Sequence, residues 1–132
     1  MAASSGDKAG KLILRVALGV IILLHGIAKL KGGIDPITGM VTAHGLPALL
    51  AYGVYVGEVL APLMLILGFY ARIGGALIAI NMLVALFLAH RADLLALNPQ
   101  TGGWAIESQA LMLLAAITVM LIGPGKAGIN EN

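Results

Sequence analysis

The sequence predicts an all-α protein, a four-transmembrane-helix bundle, and three observations carry that prediction. Of its 132 residues, 60% are hydrophobic and only 11% are charged, with a mean hydropathy of +1.01. An ordinary globular domain is about a quarter charged, and so short a chain cannot hide that much apolar surface from water. The apolar residues gather into four runs, each close to the roughly 20 residues that a bilayer core requires. Between the runs stand clusters of Gly, Pro, Asn and Asp, which interrupt helices. Nearly every residue is needed to span or to connect, so residues 1–132 read as a single membrane domain.

The first span lies near 12–30 and carries Arg15, His25 and Lys29. Before it, Met1 to Gly10 is polar and lacks a cleavable apolar core, so the span reads as a retained helix rather than a signal peptide. Lys31 to His44, with Gly32-Gly33, Asp35-Pro36 and Gly39, reads as a polar loop with at most a short interfacial turn. A second span follows near 45–70, with Glu58 as its one charge. Gly68 to Gly75, which includes Arg72, reads as a tight hairpin into a third span near 73–90 that is uncharged from Ile73 to Ala89. Asn98-Pro99 and Gly102-Gly103 precede Trp104, an aromatic residue suited to the membrane interface. The fourth span, near 105–122, opens at Glu107 and stops at Gly123-Pro124-Gly125. Gly19, Gly26, Gly53, Gly57, Gly75 and Ala79 are small residues of the kind that lets helices in lipid approach closely.

Flanking charges set the expected orientation. Lys8, Lys11, Arg15, Arg72 and Lys126 fall on the side of the two termini, and Lys29, Lys31 and Arg91 on the other. The excess places both termini in the cytoplasm.

Polar groups inside a bilayer need a partner or a purpose, because a charge at the helix centre costs about 2.5–3.5 kcal/mol on insertion scales. Glu58 is the sharpest case: it lies near the middle of its span on a short stem, so it is either protonated or paired. On the first helix Arg15, Ile22, His25 and Lys29 project onto one stripe about 80° wide at 100° per residue, and that stripe is expected to face inward. A polar pocket in the non-cytoplasmic half of the bundle follows, floored by Glu58. Glu58 and Glu107 are its candidate catalytic groups, His25, Lys29, Asn81 and His90 its candidate ligand-binding groups, and Arg15 and Arg72 its structural cations. Each has a plainer alternative. Lys29 could snorkel to the interface, Arg72 could serve as a cytoplasmic anchor, His90 could be interfacial, and His25 with Glu107 could form a helix–helix hydrogen bond.

Other chemistries lack their residues. With no cysteine, the chain carries no disulfide, thiolate site or dithiol relay. Its eight Lys and Arg are scattered, which argues against nucleic acid. The three histidines show no metal-ligand spacing, so neither metal nor haem is expected, although a His25–His90 haem pair fits a bundle geometrically.

Taken in order, Arg15, His25-Gly26-x-x-Lys29-Leu30, Glu58, Gly68-Phe69-Tyr70-Ala71-Arg72, Glu107 and Gly123-Pro124-Gly125 resemble the DoxX family, from about Lys11 to Gly125. The resemblance implies a multi-pass protein of the cell inner membrane tied to oxidoreductase systems, since namesake relatives are subunits of a thiosulfate:quinone oxidoreductase. It points to a quinone as the cofactor, with Lys29 or His25 holding a carbonyl and Glu58 or Glu107 exchanging a proton. Without cysteine on this chain, electrons would come from an oxidoreductase partner protein or a directly bound substrate. The alternatives are a non-catalytic membrane adaptor that recruits redox partner proteins and, more weakly, a small transporter, for which an internal repeat is missing. The abundance of glycine faces also suggests a homodimer.

Overall fold

The computed structural model describes residues 4–132, and those residues are helical throughout apart from loops and one isolated bridge between Leu97 and Trp104. Helix α1 (Ser5–Gly32) starts at a capping box in which Ser4 Oγ accepts the Asp7 N–H at 3.0 Å and the Asp7 carboxylate accepts the Ser4 N–H. Its 28 residues extend about 42 Å at 1.5 Å per residue, longer than the apolar run alone, so its polar first turns project beyond the apolar layer.

Lys31 to His44 departs from the expected polar loop. Residues Asp35–Ala43 form a nine-residue helix, α2, with Pro36 in its first turn. Pro is favoured there because its missing N–H is one that a helix start leaves unpaired. Ile37, Met40 and Val41 share its inner face; Val41 is buried and packs with Ile34 and Ala51.

The second apolar run forms one helical stretch, α3 (Ala48–Leu67), of changing pitch. A 3-10 turn covers Ala48–Tyr52, an α turn Gly53–Tyr55, a π turn Val56–Leu60 and an α-helix Ala61–Leu67. Pro62 gives a physical reason for the π turn: it has no N–H to bond the Glu58 carbonyl four residues earlier. The chain widens instead, and the Ala61 N–H reaches the Val56 carbonyl. Gly68, at φ 67°, ends this helix, and after Tyr70, at φ 47°, helix α4 (Ala71–Ala89) begins. Helix α5 (Glu107–Ile122) completes the set.

Three of these helices, α1, α3 and α4, are long and apolar enough to cross a membrane. Helix α5 is apolar but has 16 residues, about 24 Å of helix. The four pack as a ring: α1 touches α3 and α5, α3 touches α4, and α4 touches α5. Leu18, Ile22, Leu65, Ile78, Met82 and Val119 fill the centre. The outside is apolar as well, with Ile13, Leu24, Leu111, Leu114 and Leu121 all exposed. An apolar exterior around an apolar core is what lipid, rather than water, stabilises.

The C-terminal tail folds across the Gly68 turn. Ile129 and Asn130 donate backbone N–H groups to the carbonyls of Leu67 and Gly68 at 3.1 and 3.3 Å, and the Arg72 N–H reaches Asn132 at 3.1 Å. That end of the bundle is closed by backbone.

Candidate functional site

Three side chains from three helices meet near the middle of the bundle. Lys29 lies in the last turn of α1, Glu58 in the π turn of α3, and Asn81 halfway along α4. The Lys29 ammonium donates to Glu58 Oε1 at 2.5 Å, and Asn81 Nδ2 donates to Glu58 Oε2 at 3.0 Å. Each carboxylate oxygen of Glu58 therefore accepts a bond from a different helix. Glu58 is 5% exposed, and the Lys29 side chain is 27% exposed. Of the two states open to a mid-span carboxyl, the structure has the paired one.

Glycines bring the backbones close enough for these contacts. A Cβ on Gly26 would run into the Glu58 carbonyl oxygen and lie 2.7 Å from its carbon. A Cβ on Gly57 would lie 2.6 Å from the Asn81 Cγ. Even one methyl at either position would push α1 or α4 away from the π turn. Tyr55, one turn before Glu58, donates its hydroxyl to the Lys29 carbonyl at 3.3 Å and ties the end of α1 to α3.

Beside the cluster lies a cavity of about 500 Å³, within the range typical of small-molecule sites. Its polar lining includes Lys29, Glu58 and Asn81. The remaining wall is aliphatic and comes from α2 (Ile37, Met40), α3 (Leu50, Val54) and α4 (Ile80, Val84). The contribution of α2 is the element that reading Lys31 to His44 as a loop misses, and the Asp35-Pro36 pair is the signal that could have revealed it.

The structure brings together three of the six residues expected in the pocket. His25 is exposed, and its Nδ1 pairs with the Ile21 carbonyl of its own helix at 2.9 Å. The buried residues of α1, Arg15, Leu18, Gly19, Ile22 and Gly26, cover an arc of about 100°, and His25 falls about 20° beyond its edge at 100° per residue. His90 ends α4, 3.7 Å from Asp93 and 3.5 Å from the Gln109 amide. Glu107 is exposed in the first turn of α5, against Gly103. The inward polar stripe and its pocket therefore reduce to Lys29, Glu58 and Asn81. His25 and Glu107 do not bond to each other, nor do His25 and His90 share contacts.

Both arginines grip helix ends. Arg15 is fully buried; its Nη1 donates to the carbonyls of Leu65 (2.6 Å) and Ile66 (2.9 Å), and its Nη2 to that of Ala127 (2.8 Å). Arg72 is exposed and donates to the carbonyls of Met120 and Leu121 at the end of α5. A cation at a helix C-terminus is favoured by the helix dipole and by the unpaired carbonyls there. Among the described residues no three metal-ligating side chains gather.

Residues 10–91 match the DoxX family, a span that contains α1 from Gly10 onward, all of α2, α3 and α4, and all three residues of the cluster. The chain is also 33% identical, over 114 residues, to a protein of Bacillus subtilis (strain 168) named "Putative oxidoreductase CatD", covering 86% of this chain and 79% of that one. No solved structure matches it.

Proposed function

The chain belongs to the DoxX family of membrane proteins, and from that membership we propose that it is a quinone-linked subunit of an oxidoreductase complex, with the headgroup site at Lys29, Glu58 and Asn81. The observation that carries the reading is the cavity: a mostly aliphatic wall with one hydrogen-bonding cluster in it. A prenylated quinone has the matching form, an apolar tail and a neutral ring with two carbonyl oxygens. Lys29 and Glu58 carry opposite charges, so the cluster is neutral as a pair. A lipid phosphate or fatty carboxylate would bring an uncompensated charge beside Glu58, which disfavours those ligands. Lys29 retains N–H donors beyond the one given to Glu58 and can hold a carbonyl oxygen. Glu58 can hold and release a proton next to it.

The relative's name supports the oxidoreductase part of the proposal. Electrons would arrive through a partner protein, since this chain has no dithiol of its own. In the membrane the chain crosses four times. Helix α5 would complete the crossing together with the loop before Glu107 and the Gly123 turn after it, and the excess of flanking positive charge supports an orientation with both termini on the cytoplasmic side of the inner membrane.

Mass spectrometry of organic extracts from the purified protein tests the reading. A prenylated quinone is expected to co-purify, and to be lost when Lys29→Ala and Glu58→Gln are combined. Extracts without quinone, together with no spectral change on quinone titration, would overturn it. One observation favours the adaptor reading instead: the cluster joins three helices, as a purely structural lock would. Quinone retention that is indifferent to the double substitution would favour that lock.

A further inference from the structure

The two directions away from Glu58 differ. Toward the chain termini the neighbouring layer is packed shut: Ile22, Ala61, Leu65 and Ile78 have no exposure, and Leu18 has 4%. Beyond them Arg15 is fully buried, and its guanidinium is tied to the carbonyls of Leu65 and Ile66 and to Ala127 of the tail. A chain of waters needs polar partners and room, and this layer offers neither. In the opposite direction Lys29 keeps part of its side chain exposed. The cavity wall on α4 starts at Leu77, one turn on the terminal side of Asn81, and extends twice as far the other way, past Val84 and Leu88 to Ala89, the last residue of α4, about 12 Å beyond Asn81.

We infer that Glu58 and Asn81 are reached by water and protons from one side of the membrane only, the side on which α1 ends, with Lys29 as the connecting group. Lys29 can pass a proton to the Glu58 oxygen that it already contacts at 2.5 Å. Its amine then recovers one from hydronium at the interface, so the net change is one proton moved from bulk water to the Glu58 carboxylate with one water left behind, and the reverse sequence releases it. Arg15 takes no such part, because its partners are backbone carbonyls. The inference does not depend on what fills the cavity, so it goes beyond the quinone reading and stands or fails separately from it.

The absence of native cysteine makes the test direct, since an introduced thiol is the one such group on the chain. Lys29→Cys, Asn81→Cys and Leu18→Cys proteins are treated in sealed vesicles of both orientations with a membrane-impermeant charged thiosulfonate, the orientation being fixed by a tag at the N-terminus. Lys29→Cys and Asn81→Cys are expected to label where the end of α1 faces the reagent, and to lose that labelling where the termini face it. Leu18→Cys is expected to label in neither. Labelling of Asn81→Cys from the terminal side, from both sides or from neither overturns the inference, as does labelling of Leu18→Cys from the terminal side. If Asn81→Cys does not fold, as judged by gel filtration, Val84→Cys on the same cavity wall replaces it with the same expected outcomes.

Discussion

Arg15 and Lys29 stand on the same helix, four turns apart, and both meet α3, yet one end of α3 holds an enclosed cation and its middle holds an open one. The Arg15 guanidinium is enclosed on all sides and bonded to three backbone carbonyls, with its Nε alone unpartnered. Lys29 is bonded to a side chain, keeps some exposure and borders a cavity of about 500 Å³. A charge within an apolar bundle is therefore not a sign of function by itself. What distinguishes the two is whether backbone consumes the donors and whether space is left for a ligand.

Replacing the enclosed cation is expected to have the largest effect on stability. Arg15→Leu leaves the acceptors on Ile66 and Ala127 without their donor, at about 1–3 kcal/mol each where water cannot substitute, while the Leu65 carbonyl keeps the Gly68 N–H, and roughly 4 kcal/mol in all is expected. Thermal unfolding in detergent measures it, and the C-terminal tail is expected to become protease-sensitive while any bound quinone is retained. An Arg15→Leu protein of normal stability would remove the contrast. Gly26→Ala comes next, at about 2–3 kcal/mol by overpacking, because its methyl meets the Glu58 backbone rather than a movable side chain. It is expected to lower stability and quinone content together, because it separates α1 from the π turn.

Glu58→Gln is expected to invert the pattern. The amide keeps the shape and one acceptor, and Lys29, partly exposed, can extend toward the interface. The stability loss is expected to be about 1.5 kcal/mol, whereas quinone extracted from the purified protein is expected to fall sharply. A stability loss equal to that of Arg15→Leu would mark the cluster as a structural lock.

Hydropathy was enough to locate α1, α3, α4 and α5, because the demand for length in lipid is strict and the breakers between the spans are strong. Glu58 was legible for a related reason: a short-stemmed carboxyl in mid-span has to be paired or protonated, and it is paired with Lys29. The exact partners depended on features that periodicity does not carry. The π turn changes the angular register of α3 around Glu58, so helical-wheel projection cannot say which neighbour it faces. Helix α2 was obscured because Asp35, Pro36, Thr38 and Gly39 weigh as loop residues, although the first two also start helices. His25 was drawn into the site by a stripe about 80° wide, but the buried arc of α1 stops just short of it.

That last point sets the smallest expected effect. His25 sits between Gly26, which packs against α3, and Leu24, which faces outward, about 20° beyond the buried arc of α1 at 100° per residue. In the structure its ring is exposed and bonded back to Ile21. His25→Ala is therefore expected to shift stability by no more than about 0.5 kcal/mol, as for surface substitutions in general, and to leave quinone content unchanged. The same extraction and unfolding measurements used for Glu58→Gln decide it. Loss of quinone in His25→Ala would mean that α1 turns toward the cavity when the ligand is bound, and the boundary between the enclosed and the open parts of this helix would have to be drawn around His25 as well as Lys29.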